Sequence, residues 1–359
     1  MHQTLHALRV MTAGESHGAA LVTIIEGLPA GIPIDLTRVD AELARRQRGY
    51  GRGRRMAIES DRAEVLAGID DGRTTGAAVA LRISNRDWPN WQRTMAITSA
   101  PPADATGVSR PTIRRPRPGH ADLAGAVKLG RHDIRDVLER ASARETAARV
   151  AAGGIAREVL RHAGVEIASC VVSIGHLSLQ DANAVTWSQI KAIPADSPLS
   201  CPEPDLERRM VDAITAAREA GDTLGGAFIV VVRGTPPGLG AATSWDRRLD
   251  GRLAQALMCI QSVKAVEVDS TSGGIENGLS TGEELRLTIW LKPISTLMNP
   301  LRSVDLDSFA SAPAAIERSD VCVVPAGAVV GEAMTALVLA DAWIEHRGRR
   351  AAARDLASD

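Results

Sequence analysis

The strongest constraint on the fold of this chain is that its sequence repeats itself. GESHGAALVTIIEGLPAGI, from Gly14, aligns without a gap to GDTLGGAFIVVVRGTPPGL, from Gly221. The run from Val39 to Ala44 pairs with Leu249 to Ala254, and Ala67 to Gly76 with Gly273 to Gly282. Glu139-Arg140 is echoed by Glu317-Arg318, each ahead of a helix-forming run rich in Gly, Ala and Val. Four echoes in one order predict two related α/β halves, about 9–160 and 216–345, within one domain spanning 1–345. Residues 346–359 read as a C-terminal tail, loosely ordered or a frayed helix, and about 178–205, which has no partner in the first half, is expected at the periphery. If the halves pack about a pseudo-twofold axis, their buried helices meet and their loops converge on shared clefts.

Local patterns fill in the first half. A strand is predicted near Arg9, a helix from about Leu36 to Arg48, and two short strands around the turn Asp70-Asp71-Gly72. Trp88 to Arg115 is proline-rich and irregular, as a long functional excursion would be. Ser142, three residues ahead of Glu145, has the capping-box spacing that opens a helix. The helix that follows, AARVAAGGIAREVL, is small and apolar on nearly every side, so it is predicted to be buried, with Gly153 and Gly154 allowing close backbone approach.

Bulk properties narrow the classes of function. Net charge is −1, so a general affinity for nucleic acid is not implied. Tyr50 is the only tyrosine and aromatic residues make up 3%, too few for a base-stacking platform. Cysteines 170, 201, 259 and 322 form no CxxC pair and read as small buried residues in a reducing compartment, with no metal site. The chain opens without the apolar run of a signal peptide, and Glu332 and Asp341 interrupt its most apolar late segment. These features lead to the expectation of a cytoplasmic protein without a membrane span.

Within a repeat, polar residues found in one half only are the informative ones. His17 faces Leu224, Arg46 faces Ala256, and Ser142 faces Asp320. Arg45, Arg46, Arg48, Arg52, Arg54 and Arg55 crowd a glycine-rich stretch, which is either a solvated basic face or a phosphate clamp, since guanidinium grips phosphate in a bidentate fork. His120 sits on a Pro-Gly turn behind arginines 110, 114, 115 and 117. Arg140 and Arg144 flank a helix start, where unpaired N–H groups favour an anion. Asp320, next to Arg318 and Ser319, is either half of a surface ion pair or a proton carrier. Lys292-Pro-Ile-Ser-Thr296 offers a cation and hydroxyls to a phosphate. Together these residues point to a site for an anionic small molecule.

GESHGAALVTIIEGLPAG, RRQRGYGRGRRMAIESD, RPGHADLAGAVK, ERASARETAARVAAG and ERSDVCVVPAGAVVGEAM, taken in order, resemble the chorismate synthase family from about Arg9 to Asp341. The resemblance implies an α+β fold, a βαβ sandwich of two pseudo-twofold-related halves, usually assembled as a homotetramer. It implies conversion of 5-enolpyruvylshikimate 3-phosphate to chorismate, a 1,4-anti elimination of phosphate that ends the shikimate route and needs reduced FMN, with NADPH a possible reductant of the flavin. By motif, Ser16, Arg46, Arg52 and Arg144 would bind substrate, and His17, His120 and Asp320 would be catalytic. Cofactor contacts would come from Arg46, Arg52, Arg140, Ala141, Ser142, Gln261, Ser262, Asn277, Lys292, Pro293, Ile294, Ser295, Thr296 and Arg318. No metal, nucleic-acid or membrane partner is implied. Two departures stand out: a GDGF-like loop that the family carries between Val268 and Ser272 is missing, and Asn277 replaces a usual glycine, which is expected to narrow the flavin pocket. The other classes of reading are a catalytically silent paralogue that binds an anionic metabolite, and RNA binding through the basic stretches.

Overall fold

The computed structural model describes residues 5–53, 60–97, 112–268, 273–317 and 319–357, with the backbone alone from 349. Arg54, Arg55, Arg110, Arg318 and the site of the missing loop before Ser272 lie outside the described residues.

In the first half, β1 (Arg9–Ala13) and β2 (Ala20–Glu26) precede α1 (Leu36–Gln47) and β3 (Glu64–Ala67). The small hairpin β4 (Ile69–Asp70) and β5 (Arg73–Thr74) leads to β6 (Val79–Ser84). Then come α2 (Asp122–Leu129), α3 (Arg135–Ala141) and α4 (Thr146–His162). The second half runs through β7 (Glu166–Ile174), β8 (Leu177–Ser178), α5 (Trp187–Lys191), α6 (Pro204–Glu219) and β9 (Gly226–Arg233). It continues with α7 (Leu249–Met258), β10 (Val263–Val268), the hairpin β11 (Ile275–Glu276) and β12 (Leu279–Ser280), and β13 (Leu285–Leu291). A short pair, β14 (Arg302–Val304) and β15 (Ser311–Pro313), comes before the long α8 (Val324–Ala357).

The repeat is written into the topology. The first sheet has the order β1-β2-β6-β3, and the second has β7-β9-β13-β10, with β8 added beyond β7. Helices α1 and α7, the two hairpins, and α4 and α8 hold matching places in each half. Because β7 takes the place of β1, the second copy begins at Glu166 rather than near 216, and the segment holding α5 and α6 is an insertion between its first two strands. Both hairpins turn through the same conformation. Asp71 and Gly72 have φ of 45° and 68°, and Asn277 and Gly278 have 48° and 83°. Two left-handed residues in succession match the right-handed twist of the flanking strands, which selects Asp-Gly or Asn-Gly.

A layer of helices fills the space between the sheets, α4 against β2 and β6, α8 against β7 and β9, and the two helices against each other. Their contact requires glycine. A Cβ added at Gly153 would lie 2.4 Å from Cβ of Ala333 on α8, and one at Gly154 would lie 3.0 Å from Val39 on α1. Helix α8 is long and apolar enough over Val324–Gly348 to cross a membrane, contrary to the sequence expectation, but 83% of its most apolar window is buried in the protein. It is the core helix of the sandwich. Its two interrupting carboxylates are both paired. Glu332 meets Arg45, Arg157 and Ser169, while Asp341 meets Arg252 and accepts from the backbone N–H groups of Ala7 and Leu8 at 2.8 and 2.6 Å.

Helix α8 runs on through the C-terminal tail to Ala357. Two further expectations change. Cys259 is exposed, whereas burial pushes the thiols of Cys170 up to about 12 and of Cys322 up to about 11. The Ser142–Glu145 capping box does not form. Ser142 caps a single 3₁₀ turn through the Arg144 N–H, and Glu145 turns away to Thr12 at 2.7 Å and Arg149 at 2.8 Å.

Candidate active site

The α1 helix carries the first key residue into place. Its buried face is Val39, Leu43 and Arg46, a helical spacing that brings a guanidinium inward along the same line as two core aliphatics. There Arg46 meets the start of α4, donating from Nη1 to Thr146 at 3.3 Å and from Nη2 to Asp61 at 2.9 Å. Arg144 donates from Nη1 to both oxygens of the same carboxylate, at 2.7 and 2.6 Å. Burial pushes the Asp61 carboxyl up, but Arg144 and Arg46 outweigh it and hold it below its ordinary value. A second pair lies beside the first, where Arg52 meets Asp320 at 2.8 Å, and the Gly53 N–H donates to the other Asp320 oxygen at 2.6 Å. The arginines are thus preorganised by carboxylates rather than left to water.

These groups line a cavity of about 610 Å³ at the N-terminal ends of α4 and α8, where the two halves meet. Among the described residues, Arg46, Arg52, Arg117, Arg144, Lys264 and Lys292 bring six cations to its wall, against Glu317 and Asp320. Ile260, Val263, Leu291, Ala326 and Val330 form an apolar side. Such a cavity suits a small anion with a hydrophobic part.

Two histidines enter the cavity, and each is braced by a carboxylate. His17 Nδ1 lies 2.9 Å from Glu139 Oε1, its backbone N–H donates to Glu139 Oε2 at 2.8 Å, and its ring stacks on Trp91 with centroids 3.8 Å apart. His120 Nδ1 lies 2.5 Å from Asp122 Oδ1. Asp122 is fully buried and also accepts from Arg117 Nε at 2.8 Å, while Arg117 Nη1 donates to Thr296 at 2.7 Å. Burial raises the Asp122 carboxyl, but the hydrogen bonds from His120 and Arg117 prevail and keep it well below the usual carboxylate range. Burial likewise raises the Glu139 carboxyl, and its bonds to His17 lead the groups that bring it below its ordinary value. Each ring thus meets a carboxylate at Nδ1, which favours one tautomer, and at His120 the Arg117 Nη2 also lies 3.1 Å from Nδ1 and 3.4 Å from Nε2.

On the opposite wall Lys292 donates to the Gly119 carbonyl and to Ser295 Oγ, the latter at 3.0 Å, so the strand end after β13 is tied to the turn that carries His120. Burial, followed by the charge of Lys264, lowers the Lys292 ammonium from its ordinary value. Ser142 Oγ donates to Ser16 Oγ at 3.0 Å, joining the α3–α4 junction to the loop that carries His17.

Of the residues singled out in the sequence, the cavity gathers Ser16, His17, Arg46, Arg52, His120, Ala141, Ser142, Arg144, Gln261, Ser262, Lys292, Ile294, Ser295, Thr296 and Asp320. Three fall elsewhere. Arg140 turns its guanidinium back to the carbonyls of Thr12 at 2.9 Å and Gly14 at 3.2 Å, where it holds the end of β1. Pro293 does not reach the cavity wall. Asn277 sits at the tip of the β11–β12 hairpin and accepts from Arg248 Nη1 at 2.9 Å, so its side chain does not narrow this cavity. The sequence reading missed Asp61, Trp91, Asp122 and Glu139. Only Asp122 left a local trace, in the His-x-Asp spacing.

The family model for chorismate synthase matches residues 8–271 and 268–344, two segments that meet where the sequence lacks the expected loop. A chorismate synthase from Desulforudis audaxviator is 50% identical, with 95% of this chain and 93% of that protein covered. One from Solibacter usitatus is 47% identical, with coverage of 95% and 94%. A solved structure, described as the crystal structure of chorismate synthase, superposes with a TM-score of 0.72 at 35% identity, covering 95% of this chain and 93% of that one. The match extends over both halves and over every loop that builds the cavity, and on it the chain belongs to the chorismate synthase family.

Proposed function

We propose that the chain catalyses the reaction for which its family is named, acting as a carbon–oxygen lyase that eliminates phosphate from 5-enolpyruvylshikimate 3-phosphate to give chorismate. The observation that carries this reading is the meeting of two carboxylate-braced histidines with a cluster of fixed arginines in one cavity. The substrate is an organic phosphate that also bears carboxylates, and its reaction expels an anion, so it needs preorganised positive charge and a proton donor. In the elimination a ring C–O bond to phosphate and a ring C–H bond break, a new ring double bond forms, and phosphate departs.

In this reading Arg46, Arg52 and Arg144 hold the substrate anions, with Ser16 beside them, and His120 delivers a proton from Nε2 to the departing phosphate. Charge-assisted hydrogen bonds contribute about 1.5–3 kcal/mol each, and fixed donors in a water-poor site are often the largest catalytic contribution. His17 offers a second proton site, one that would protonate or stabilise the reduced flavin, and Asp320 assists proton transfer. The family implies a flavin, and the cavity fits one. Its apolar side accommodates a flat ring system, Gln261 Oε1 is buried with no partner among the described residues, and Lys264 and Lys292 supply charge for a phosphate tail. Ala141, Ser142, Gln261, Ser262, Lys292 and Ile294 to Thr296 would hold it. Reduced FMN, bound there, would supply transient electron density for the loss of phosphate, with no net redox change overall. NADPH as its reductant, a homotetramer and a cytoplasmic location complete the proposal.

Titration with oxidised FMN, followed by quenching of flavin fluorescence with and without the substrate, tests the shared cavity. Binding that tightens when substrate is present supports it. No binding in either case would remove the flavin from the account and favour a silent relative.

A further inference from the structure

A second cavity, of about 470 Å³, lies on the other side of α8 from the first. The start of α8 separates the two. Val323, Ala326, Gly327 and Val330 face the first cavity, and Pro325, Ala328, Val329 and Glu332 face the second. The arginine run divides in the same way, since Arg46 and Arg52 enter the first cavity while Arg45 and Arg48 enter the second. The far wall is built by residues 190–200, part of the insertion that has no counterpart in the first half. The sequence suggests a peripheral segment there, yet it closes a chamber. Ser200, on this wall, has φ of 58°, a conformation rarely adopted by a residue other than glycine, and it is pinned by its N–H to Ser197 Oγ at 2.8 Å and its carbonyl to the Val171 N–H at 3.0 Å.

Among the described residues, the charge in this cavity is unbalanced. Glu332, fully buried, is the floor, bonded by Arg45 at 2.8 and 2.9 Å and by Arg157 at 2.5 Å, with Glu42 beside Arg45 at 2.7 Å. The two carboxylates thus answer two of the four cations. On the exposed rim Lys191 pairs with Glu166 at 3.9 Å, and Arg48, with a carbonyl contact at 3.4 Å, carries the excess. Between floor and rim the lining is aliphatic, with Ile167, Ile190, Ile193 and Val329. A cavity with positive charge at its exposed edge and apolar walls suits a ligand with a negative head and a hydrophobic body.

We propose that this second cavity is a binding site for a small organic carboxylate, separate from the catalytic cavity. The inference does not depend on the flavin or on the reaction assigned above. The test is calorimetric titration, with saturation-transfer NMR, of the full-length flavin-free protein with benzoate, hexanoate and inorganic phosphate. Saturable binding of benzoate or hexanoate at least tenfold tighter than of phosphate is expected. Lys191→Glu and Arg48→Glu, both on the rim, should weaken it tenfold or more, and Ala195→Trp should block it by filling the mouth, while Arg52→Ala in the first cavity leaves it unchanged. Three results would overturn the proposal: no saturable binding, phosphate binding as tightly as the carboxylates, or a loss confined to Arg52→Ala, which would assign the event to the first cavity.

Discussion

Asp122→Asn tests the proposal that His120 is the acid of this site. The Asp122 carboxylate accepts from His120 Nδ1 at 2.5 Å and from Arg117 N, Nε and Nη2 at 3.0, 2.8 and 3.1 Å. Asparagine keeps the shape but has one acceptor oxygen, so its NH₂ group must face either His120 or the Arg117 donors. In both arrangements the negative charge beside the imidazole is gone. Losing one charge-assisted hydrogen bond costs about 1.5–3 kcal/mol. If that loss falls on the step in which His120 changes charge, kcat drops by roughly 10- to 150-fold. The assay is anaerobic phosphate release with chemically reduced FMN, with circular dichroism to establish that the variant is folded. His120→Ala alone should cost about 100- to 10,000-fold. Because Asp122 acts through His120, adding Asp122→Asn to His120→Ala should cost little more. Wild-type kcat in Asp122→Asn, or full additivity in the double variant, would refute the reasoning.

Arg52→Ala should weaken the phosphorylated substrate far more than its dephosphorylated analogue, measured by calorimetry; equal losses would show that Arg52 serves the fold through Asp320. Gly153→Val should lower stability by at least about 1–3 kcal/mol in urea unfolding, since its Cβ would fall 2.4 Å from that of Ala333, and a wild-type midpoint would contradict the close helix contact. For Glu332, burial raises the carboxyl but Arg45 and Arg157 bring it down to about 2. A depressed carboxyl contributes stability that is whole above its unfolded value and is lost as pH falls toward the folded one. The urea midpoint should therefore fall between about pH 4.5 and 2, with a shallower slope over that window in Glu332→Gln; equal slopes would refute the pairing.

What the sequence disclosed depended on distance along the chain. The repeat was legible because both copies keep the same strands and turns, and Asp71-Gly72 and Asn277-Gly278 mark the same hairpin in each. Arg46, His17 and Asp320 stood out because the other copy lacks them, and all three reach one cavity. The braces were another matter. Glu139 reaches His17 across 122 residues and Asp61 reaches Arg144 across 83, and no local spacing records such meetings. The place of Arg140 was not legible, because its position at a helix start says nothing of the Thr12 and Gly14 carbonyls that take up its guanidinium. The insertion holding α5 reads as peripheral because its wall against α8 exists only in the folded chain.

We propose that this cavity eliminates phosphate from 5-enolpyruvylshikimate 3-phosphate with the help of reduced flavin. The direct measurement is anaerobic incubation of the purified protein with that substrate, following phosphate and chorismate together, with and without chemically reduced FMN. Equal amounts of the two products are expected, formed catalytically only when reduced FMN is present and lost in His120→Ala. Absence of both products with reduced FMN and a folded protein, or a rate the same with and without flavin, would contradict it.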